Sequence, residues 1–300
     1  MQKQATAKNG KWTILELLEW TASYFKSREV ESPRASAEIL LAHALHLNRI
    51  DLYLRYDQPL CNNELERYKA LIKRRARREP VAYILGAKEF WSLELTVTPE
   101  VLIPRPETES LVETALGVLD GDLHLAPRHI LELGTGCGAI ALALASQRPE
   151  HLYFASDLFK AATGIAKQNA KRHGLDDRIH FFVGDWMEPL QEKTQLFDMI
   201  ISNPPYIPSG GIPELQPEIY KYEPLSALDG EEDGLGCLRK IIGAAHRSLK
   251  PRGSLVLEIG YDQKAAVQRI IERCEKYDEV VFSKDYSGMD RVARMRKKDV

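Results

Sequence analysis

The sequence predicts an α/β protein: a doubly wound, mostly parallel seven-stranded sheet, preceded by a small N-terminal helical domain and a short β linker. Three observations carry this. From residue 130 onward, short continuous apolar runs alternate with helix-period segments, the pattern of buried parallel strands covered by helices on both faces. The first of those runs ends in a glycine-rich turn that opens a helix. Residues up to about 80 carry helical periodicity alone.

Taken in order, Thr13 and Glu16 form a capping box ahead of Ile14, Leu15, Leu17, Leu18, Tyr24 and Phe25. Ser32-Pro33 supplies an N-cap and a first-turn proline for a helix through Ala37 to Leu47. Asn63 opens a third helix through Leu65, Tyr68, Leu71 and Ile72, which ends in the basic run Lys73–Arg78 and stops at Pro80. The basic run is expected to be a solvated helix end favoured by the dipole, with contact to RNA or an acidic protein as the alternative. Residues 81–103 suggest two strands, Ala82–Leu85 and Phe90–Val97, with a turn at Gly86. Pro104-Arg105-Pro106-Glu107 leads into a helix through Leu111, Val112 and Leu116.

Strands are then expected at Ile130–Leu133, His151–Ser156, Ile179–Val183, Phe197–Ser202, Ser254–Ile259, Glu279–Lys284 and Arg291–Met295, the last two antiparallel. Helices are expected at Ala139–Ser146, Lys160–His173, Leu235–Leu249 and Lys264–Cys274. The expected domains are 1–80 (helical, docking), 81–103 (hairpin-like linker) and 104–300 (the α/β domain).

The chain has 300 residues and a net charge of −2, so global charge neither demands nor excludes a nucleic-acid partner. Cys61, Cys137, Cys237 and Cys274 are scattered without C-x-x-C spacing, which indicates neither a zinc site nor a disulfide framework. His43 and His46, at i and i+3, are expected to be structural. With no signal peptide and no membrane-length apolar run, a cytoplasmic location is the expectation.

Chemistry concentrates at the carboxyl ends of the predicted strands, where open α/β sheets bind ligands. Gly134, Thr135, Gly136, Cys137 and Gly138 follow the first strand, and glycines there allow a tight turn and close backbone approach to a ligand. Asp157 ends the next strand, where an acid grips ribose hydroxyls. Asp185 and Trp186 follow the third, offering an acceptor for an adenine amino group and a ring to stack on it. Asn203-Pro204-Pro205-Tyr206 follows the fourth. The prolines lock φ and lack an N–H, so the Asn203 carboxamide and the Pro204 carbonyl present two oxygen acceptors, with Tyr206 as an aromatic wall: a slot for a planar amino group. Gly134, Gly136 and Ala139 also satisfy G-x-G-x-x-A, so a nicotinamide oxidoreductase competes, but the Asn203–Tyr206 slot has no job in hydride transfer.

In this order these motifs resemble an S-adenosylmethionine-dependent methyltransferase of the Rossmann-like class I. Pro80–Gly86, Glu89-Phe90-Trp91, Leu102–Glu109, Tyr222-Glu223-Pro224, Glu258-Ile259-Gly260 with Gln263, and Asp285 with Gly288 and Arg291 narrow the resemblance to the peptide chain release factor glutamine methyltransferases, over nearly the whole chain. The resemblance implies that S-adenosylmethionine, leaving as S-adenosylhomocysteine, is held by Glu132, Gly134 to Gly138, Asp157, Asp185, Trp186 and Asn203, with no metal. It implies that Asn203, Pro204, Pro205 and Tyr206 receive the glutamine of a Gly-Gly-Gln loop on class 1 release factors, which the N-terminal helices help dock, on a monomeric enzyme with no stable nucleic-acid partner and no membrane association. Ribosomal-protein glutamine and nucleic-acid adenine N6 methylation stay as alternatives. The sequence departs from the family pattern at Leu85, where threonine is frequent, and in Gly230-Glu231-Glu232-Asp233-Gly234, which carries an extra acid where a second glycine is frequent.

Overall fold

The computed structural model describes residues 12–121, 126–190 and 194–299. The chain divides into two compact units: the first holds residues up to Gly86 together with Pro217–Tyr222, and the second holds Ala87–Gln216 and the residues from Glu223 onward. Residues 1–11 and Val300, at the ends of the expected domain ranges, lie outside the described residues.

In the first unit, α1 (Ile14–Ser27) starts from the expected capping box: Glu16 N donates to Thr13 Oγ1 at 3.3 Å and Thr13 N to Glu16 Oε2 at 3.0 Å. Its buried residues Ile14, Leu17, Leu18 and Phe25 share a core with Leu40 and Leu41 of α2 (Pro33–Leu45). Each such side chain contributes about 1.5–3 kcal/mol by burial. Ser32 does not cap α2 as expected: its backbone is left-handed (φ 47°) and its side chain makes no cap bond. The helix also ends two residues short of Leu47, at left-handed His46. A short α3 (Arg49–Leu54) was not anticipated. It brings Arg49 and Tyr53 to Glu38, which Arg34 also pairs at 2.7 Å. Burial alone would raise the Glu38 carboxyl, but these three donors hold it down to about 2.

Helix α4 (Asn62–Ala76) follows, with Tyr68 fully buried and its hydroxyl donating to the Ala37 carbonyl at 3.1 Å. Only part of its basic tail is the solvated end expected from the sequence: Lys73 and Arg77 are exposed, but the other arginines are tied down. Arg75, 4% exposed, donates to Glu218 Oε1 at 2.8 Å, and Arg78 grips Glu218 with both prongs at 2.7 and 2.6 Å. Arg74 pairs with Glu79 and reaches the Tyr83 and Ile84 carbonyls. Three of the cations are thus consumed by acids within the unit. Helix α5 (Val81–Leu85) replaces the strand expected at Ala82–Leu85. The β-branched and aromatic residues suggest extension, but Pro80 accepts the first helical bond from Ile84 N at 3.0 Å and Gly86 (φ 72°) closes the turn as a left-handed cap.

The second unit opens with the antiparallel hairpin β1 (Ala87–Phe90) and β2 (Leu93–Thr96). The single strand expected at Phe90–Val97 is therefore broken, and the turn lies at Trp91-Ser92, both with positive φ, rather than at Gly86. Helix α6 (Glu109–Gly121) precedes β3 (His129–Leu133), α7 (Ala139–Gln147), β4 (Leu152–Asp157), α8 (Lys160–Arg172), β5 (Ile179–Val183) and β6 (Phe197–Ser202). After the short α9 (Pro217–Tyr220), which belongs to the first unit, come α10 (Gly236–Ser248), β7 (Leu249–Glu258), α11 (Lys264–Cys274), β8 (Tyr277–Lys284) and β9 (Asp290–Lys297).

The seven-stranded sheet runs β5-β4-β3-β6-β7-β9-β8, parallel except for β9, which is antiparallel to both its neighbours. Alternation along the strands sorts the two faces. Leu131 and Leu133 join Ile200, Leu255 and Leu257 in a core with Ile241 and Ile242 of α10 and Val267 and Ile271 of α11. Glu132, one residue out of phase, meets α7 at Ala141 N. Strand order reverses between β3 and β6, whose ends are aligned at Leu133 and Ser202. That switch point places the glycine turn, Asp157 and Asn203 along one sheet edge.

Candidate active site

A cleft opens at that edge, and its wall includes Gly134, Gly136, Asp157, Asp185, Trp186, Asn203 and Pro205. Four strand ends therefore deliver the expected residues to one place. The glycine turn is built by close approach. A Cβ on Gly138 would stand 2.4 Å from Leu142 Cδ1 and 3.1 Å from Ala166 Cβ, so α7 and α8 pack directly on its backbone. Glu132 braces the turn from within: its Oε2 accepts from Thr135 Oγ1 at 2.7 Å and Ala141 N at 3.1 Å. Burial pushes this carboxyl up to about 8, more than those two bonds lower it. Glu132, Thr135 and Cys137 are buried and, with Gly138, are absent from the cleft wall. Their place is in the support of the turn.

Asp157 Oδ2 accepts from Gly136 N at 2.9 Å and Oδ1 from Phe159 N at 3.0 Å, which fixes the carboxylate at the mouth of the turn. Burial raises its pKa against these backbone bonds. Trp186 sits in a left-handed conformation (φ 42°) with its ring 3.6 Å from the position a Gly134 Cβ would take, the kind of strain that persists where a site over-determines it. Leu158 and Phe159, about half exposed, give the cleft apolar wall that the sequence reading missed. The cleft is thus partly apolar and edged by acids over a glycine floor, with the Asp157 carboxylate placed to accept hydrogen bonds from hydroxyl groups.

At the fourth strand end, Asn203 Nδ2 donates to Thr108 Oγ1 at 3.2 Å, which leaves its oxygen for the cleft. Tyr206 does not form the expected aromatic wall. Its ring packs against the core under α10 and α11, its hydroxyl donates to Glu258 Oε1 at 3.3 Å, and its carbonyl accepts from Gln263 Nε2 at 2.9 Å. The residue anchors the slot. Pro204 is buried and Pro205 reaches the cleft.

The Pro-Arg-Pro-Glu segment also has a definite job. Glu223 is buried (6% exposed) and accepts from Arg105 and from Ile103 N at 3.2 Å, so it is an internal tie. This tie joins the two loops that bring Val101, Leu102 and Pro224 to the cleft. Thr108 and Glu258 lie within the family motifs named above, but nothing in the sequence signalled that Thr108 meets Asn203 or that Glu258 meets Tyr206. In the Gly230–Gly234 segment, Asp233 accepts from Leu235 N at 3.1 Å and pairs with Arg239, closing the entry to α10 without touching the cleft.

Comparison with known proteins identifies the family. Residues 16–86 match the PrmC N-terminal domain family and residues 114–212 the methyltransferase small domain family. The release factor glutamine methyltransferase of Geobacter sulfurreducens is 43% identical over 94% of this chain and 95% of its own length. That of Rhodopirellula baltica is 36% identical over 97% and 99%. The crystal structure of a methyltransferase from Pyrococcus furiosus superposes with a TM-score of 0.51 at 22% identity, covering 76% of this chain and 99% of that one, and shares the fold. With sequence identity of this degree over nearly the whole of this chain and of its relatives, the chain belongs to the release factor glutamine methyltransferase family.

Proposed function

We propose that this protein uses S-adenosylmethionine to methylate the side-chain amide nitrogen (N5) of the glutamine in the Gly-Gly-Gln loop of class 1 peptide chain release factors. The observation that carries this is the anchored Asn203 carboxamide, held through Nδ2 and leaving Oδ1 toward the cleft beside the glycine turn. Family membership and the relatives' names support the substrate.

The cleft fits the cofactor by its own chemistry: Asp157 for the ribose hydroxyls, Asp185 and Trp186 for the adenine, Leu158 and Phe159 for its faces, and the Gly134–Gly136 backbone for close approach. When bound, S-adenosylmethionine supplies a methyl group activated by a sulfonium. An amide nitrogen is a poor nucleophile because its lone pair is delocalised into the carbonyl. Asn203 Oδ1 and the Pro204 carbonyl take the two N–H hydrogens of the substrate amide, which turns the nitrogen lone pair toward the reacting carbon. The same acceptors stabilise positive charge as the nitrogen is alkylated, in a site partly withdrawn from water. The proton leaves the nitrogen after transfer, so no general base is required of the slot.

The helical unit is read as the docking element for the release factor, and α3 leaves Ile50, Tyr53 and Leu54 exposed for it. Arg74, Arg75 and Arg78 are engaged by Glu79 and Glu218, which weakens the support the basic run lends to a nucleic-acid reading. No helix among the described residues is long and apolar enough to cross a membrane. A substrate from the translation apparatus puts the reaction in the cytoplasm. Asn203→Ala tests the mechanism: kcat should fall by about 100-fold or more with a smaller change in cofactor affinity. Near-normal turnover in that variant refutes the role given to Asn203.

A further inference from the structure

Gln263 closes the turn between β7 and α11 and is buried. Its carboxamide is used at both ends. Oε1 accepts from Gly260 N at 2.9 Å, while Nε2 donates to the Tyr206 carbonyl at 2.9 Å and to the Gly234 carbonyl at 3.1 Å. These partners decide which end points where, since an N–H requires the oxygen and two carbonyls require the NH₂. The main chain holds the residue in the same turn: Gln263 N donates to the Gly260 carbonyl at 3.0 Å.

The bond to Tyr206 matters because the slot has little main-chain bonding of its own. The register of β6 with both its neighbours ends at Ser202. Pro204 and Pro205 have no N–H to give. Main-chain bonds resume at Ile207, which donates to Leu228 O at 3.1 Å and accepts from Gly230 N at 2.8 Å. Between these points Gln263 grips the chain at Tyr206, two residues beyond the Pro204 carbonyl. The Gly230–Gly234 loop closes on the same atoms. A Cβ on Gly234 would stand 2.5 Å from Tyr206 O and 2.9 Å from Gln263 Nε2, and one on Gly230 would stand 2.8 Å from Tyr206 Cα. Loop, strand exit and Gln263 therefore meet with no room for a methyl group. Proline fixes φ at 204 and 205, so a shift at Tyr206 is carried back to the Pro204 carbonyl.

We propose that Gln263 is a positioning residue for amide recognition: by pinning the Tyr206 carbonyl against the Gly230–Gly234 loop, it sets the place of the Pro204 carbonyl that takes one N–H hydrogen of the substrate. The proposal rests on the reading that the Asn203–Tyr206 slot receives the substrate amide. Gln263 and Gly234 are absent from the cleft wall, so the cofactor's own contacts do not depend on them. Loss of the tie should therefore be felt in turnover and not in cofactor binding, because a displacement of about 1 Å at a reacting group can cost about 100-fold in rate.

The test uses the full chain with S-adenosylmethionine and a release factor as acceptor. Gln263→Met keeps the length of the side chain and removes its hydrogen bonds. It should lower kcat about 10- to 100-fold while the affinity for S-adenosylmethionine, measured by calorimetry, stays within about twofold. Gly234→Ala pushes on the Tyr206 carbonyl from the loop side and should show the same split. Because both changes act through one carbonyl, the double variant should turn over about as slowly as the slower single one, not by the product of the two losses. The proposal is overturned if Gln263→Met turns over like the parent, if cofactor affinity falls in step with kcat, or if the two losses multiply. If Gln263→Met does not fold, Gly234→Ala decides by the same split. Asn203→Ala, assayed alongside, separates the two levels. Full activity there removes the reading of the slot, whereas loss there with an unimpaired Gln263→Met removes only the role of Gln263.

Discussion

Adding one methyl group at Gly138 and, separately, at Gly136 probes how the cofactor turn is built. The two glycines are two residues apart, and both have positive φ, 87° and 56°. At Gly138 the new carbon would lie 2.4 Å from Leu142 Cδ1, 3.1 Å from Ala166 Cβ and 3.3 Å from Ala166 Cα. Leu142 is fully buried and cannot swing into solvent. Left-handed strain of about 1–2 kcal/mol adds to about 1–3 kcal/mol for overpacking, so Gly138→Ala should cost about 2–5 kcal/mol. At Gly136 nothing lies within 4 Å, and only backbone strain of about 1 kcal/mol remains. For a unit of this size each kcal/mol moves Tm by about 2–4 °C, so the Tm of Gly138→Ala should fall by roughly 4–20 °C and that of Gly136→Ala by roughly 2–4 °C. Far-UV circular dichroism on heating measures this, with calorimetry of S-adenosylmethionine binding in parallel. Gly136 lines the cleft, so its variant should lose affinity while keeping its fold. Equal shifts in Tm, or a Gly138→Ala protein that melts with the parent, would refute the packing argument.

Other consequences are sharp enough to measure. Glu218→Gln leaves buried Arg75 beside Arg78 with no anion, and should destabilise the helical unit by about 3 kcal/mol in urea unfolding. Burial raises the Glu218 carboxyl, but Arg78 and Arg75 lower it further, to a net value below its unfolded one. The stability it gives is therefore present above the unfolded pKa and lost as pH falls through the folded pKa, and Glu218→Gln should flatten that acid loss. Glu132 has the opposite sign. Its folded pKa is raised from 4.5 to about 8, so the folded state holds the proton longer and stability declines as pH rises between those values. Glu132→Gln keeps an oxygen for Thr135 and Ala141 and should be at least as stable as the parent at pH 8 while losing that decline. A Glu132→Gln variant with an unchanged slope between pH 5 and 8 would show that the buried carboxyl is not its source.

The strands that build the sheet were legible because most of each is apolar and flanked by helix-period segments: central Phe197–Ser202 is almost wholly buried, edge strand Ile179–Val183 exposes His180 and Val183, and both have the expected bounds. So was the cleft's acid edge, since Gly134, Asp157, Asp185 and Asn203 each follow a strand and the topology gathers strand ends. The stretch around residues 81–97 was misread because local propensity there points the wrong way. Val81, Tyr83 and Ile84 favour strands, yet Pro80 and Gly86 cap a helical turn around them. The hairpin turn uses Trp91 and Ser92 with positive φ, residues that carry no turn signal. The support of the slot was invisible for a different reason. Thr108, Asn203 and Glu258 are separated by about a third and a sixth of the chain, and only the sheet order brings β6 and β7 side by side. Tyr206 looked like a wall because an aromatic beside a binding motif is ambiguous until its neighbours are known. Glu258, buried one strand over, is the neighbour that turns it inward.

The account stands or falls on where the methyl group goes. Purified protein with methyl-labelled S-adenosylmethionine should label a class 1 release factor and leave unlabelled the same factor with its Gly-Gly-Gln glutamine replaced, which would place the transferred carbon on that side chain. Equal labelling of both factors, or label on ribosomal protein or nucleic acid and none on the release factor, would contradict the proposed substrate while leaving the cleft as a methyl-donor site.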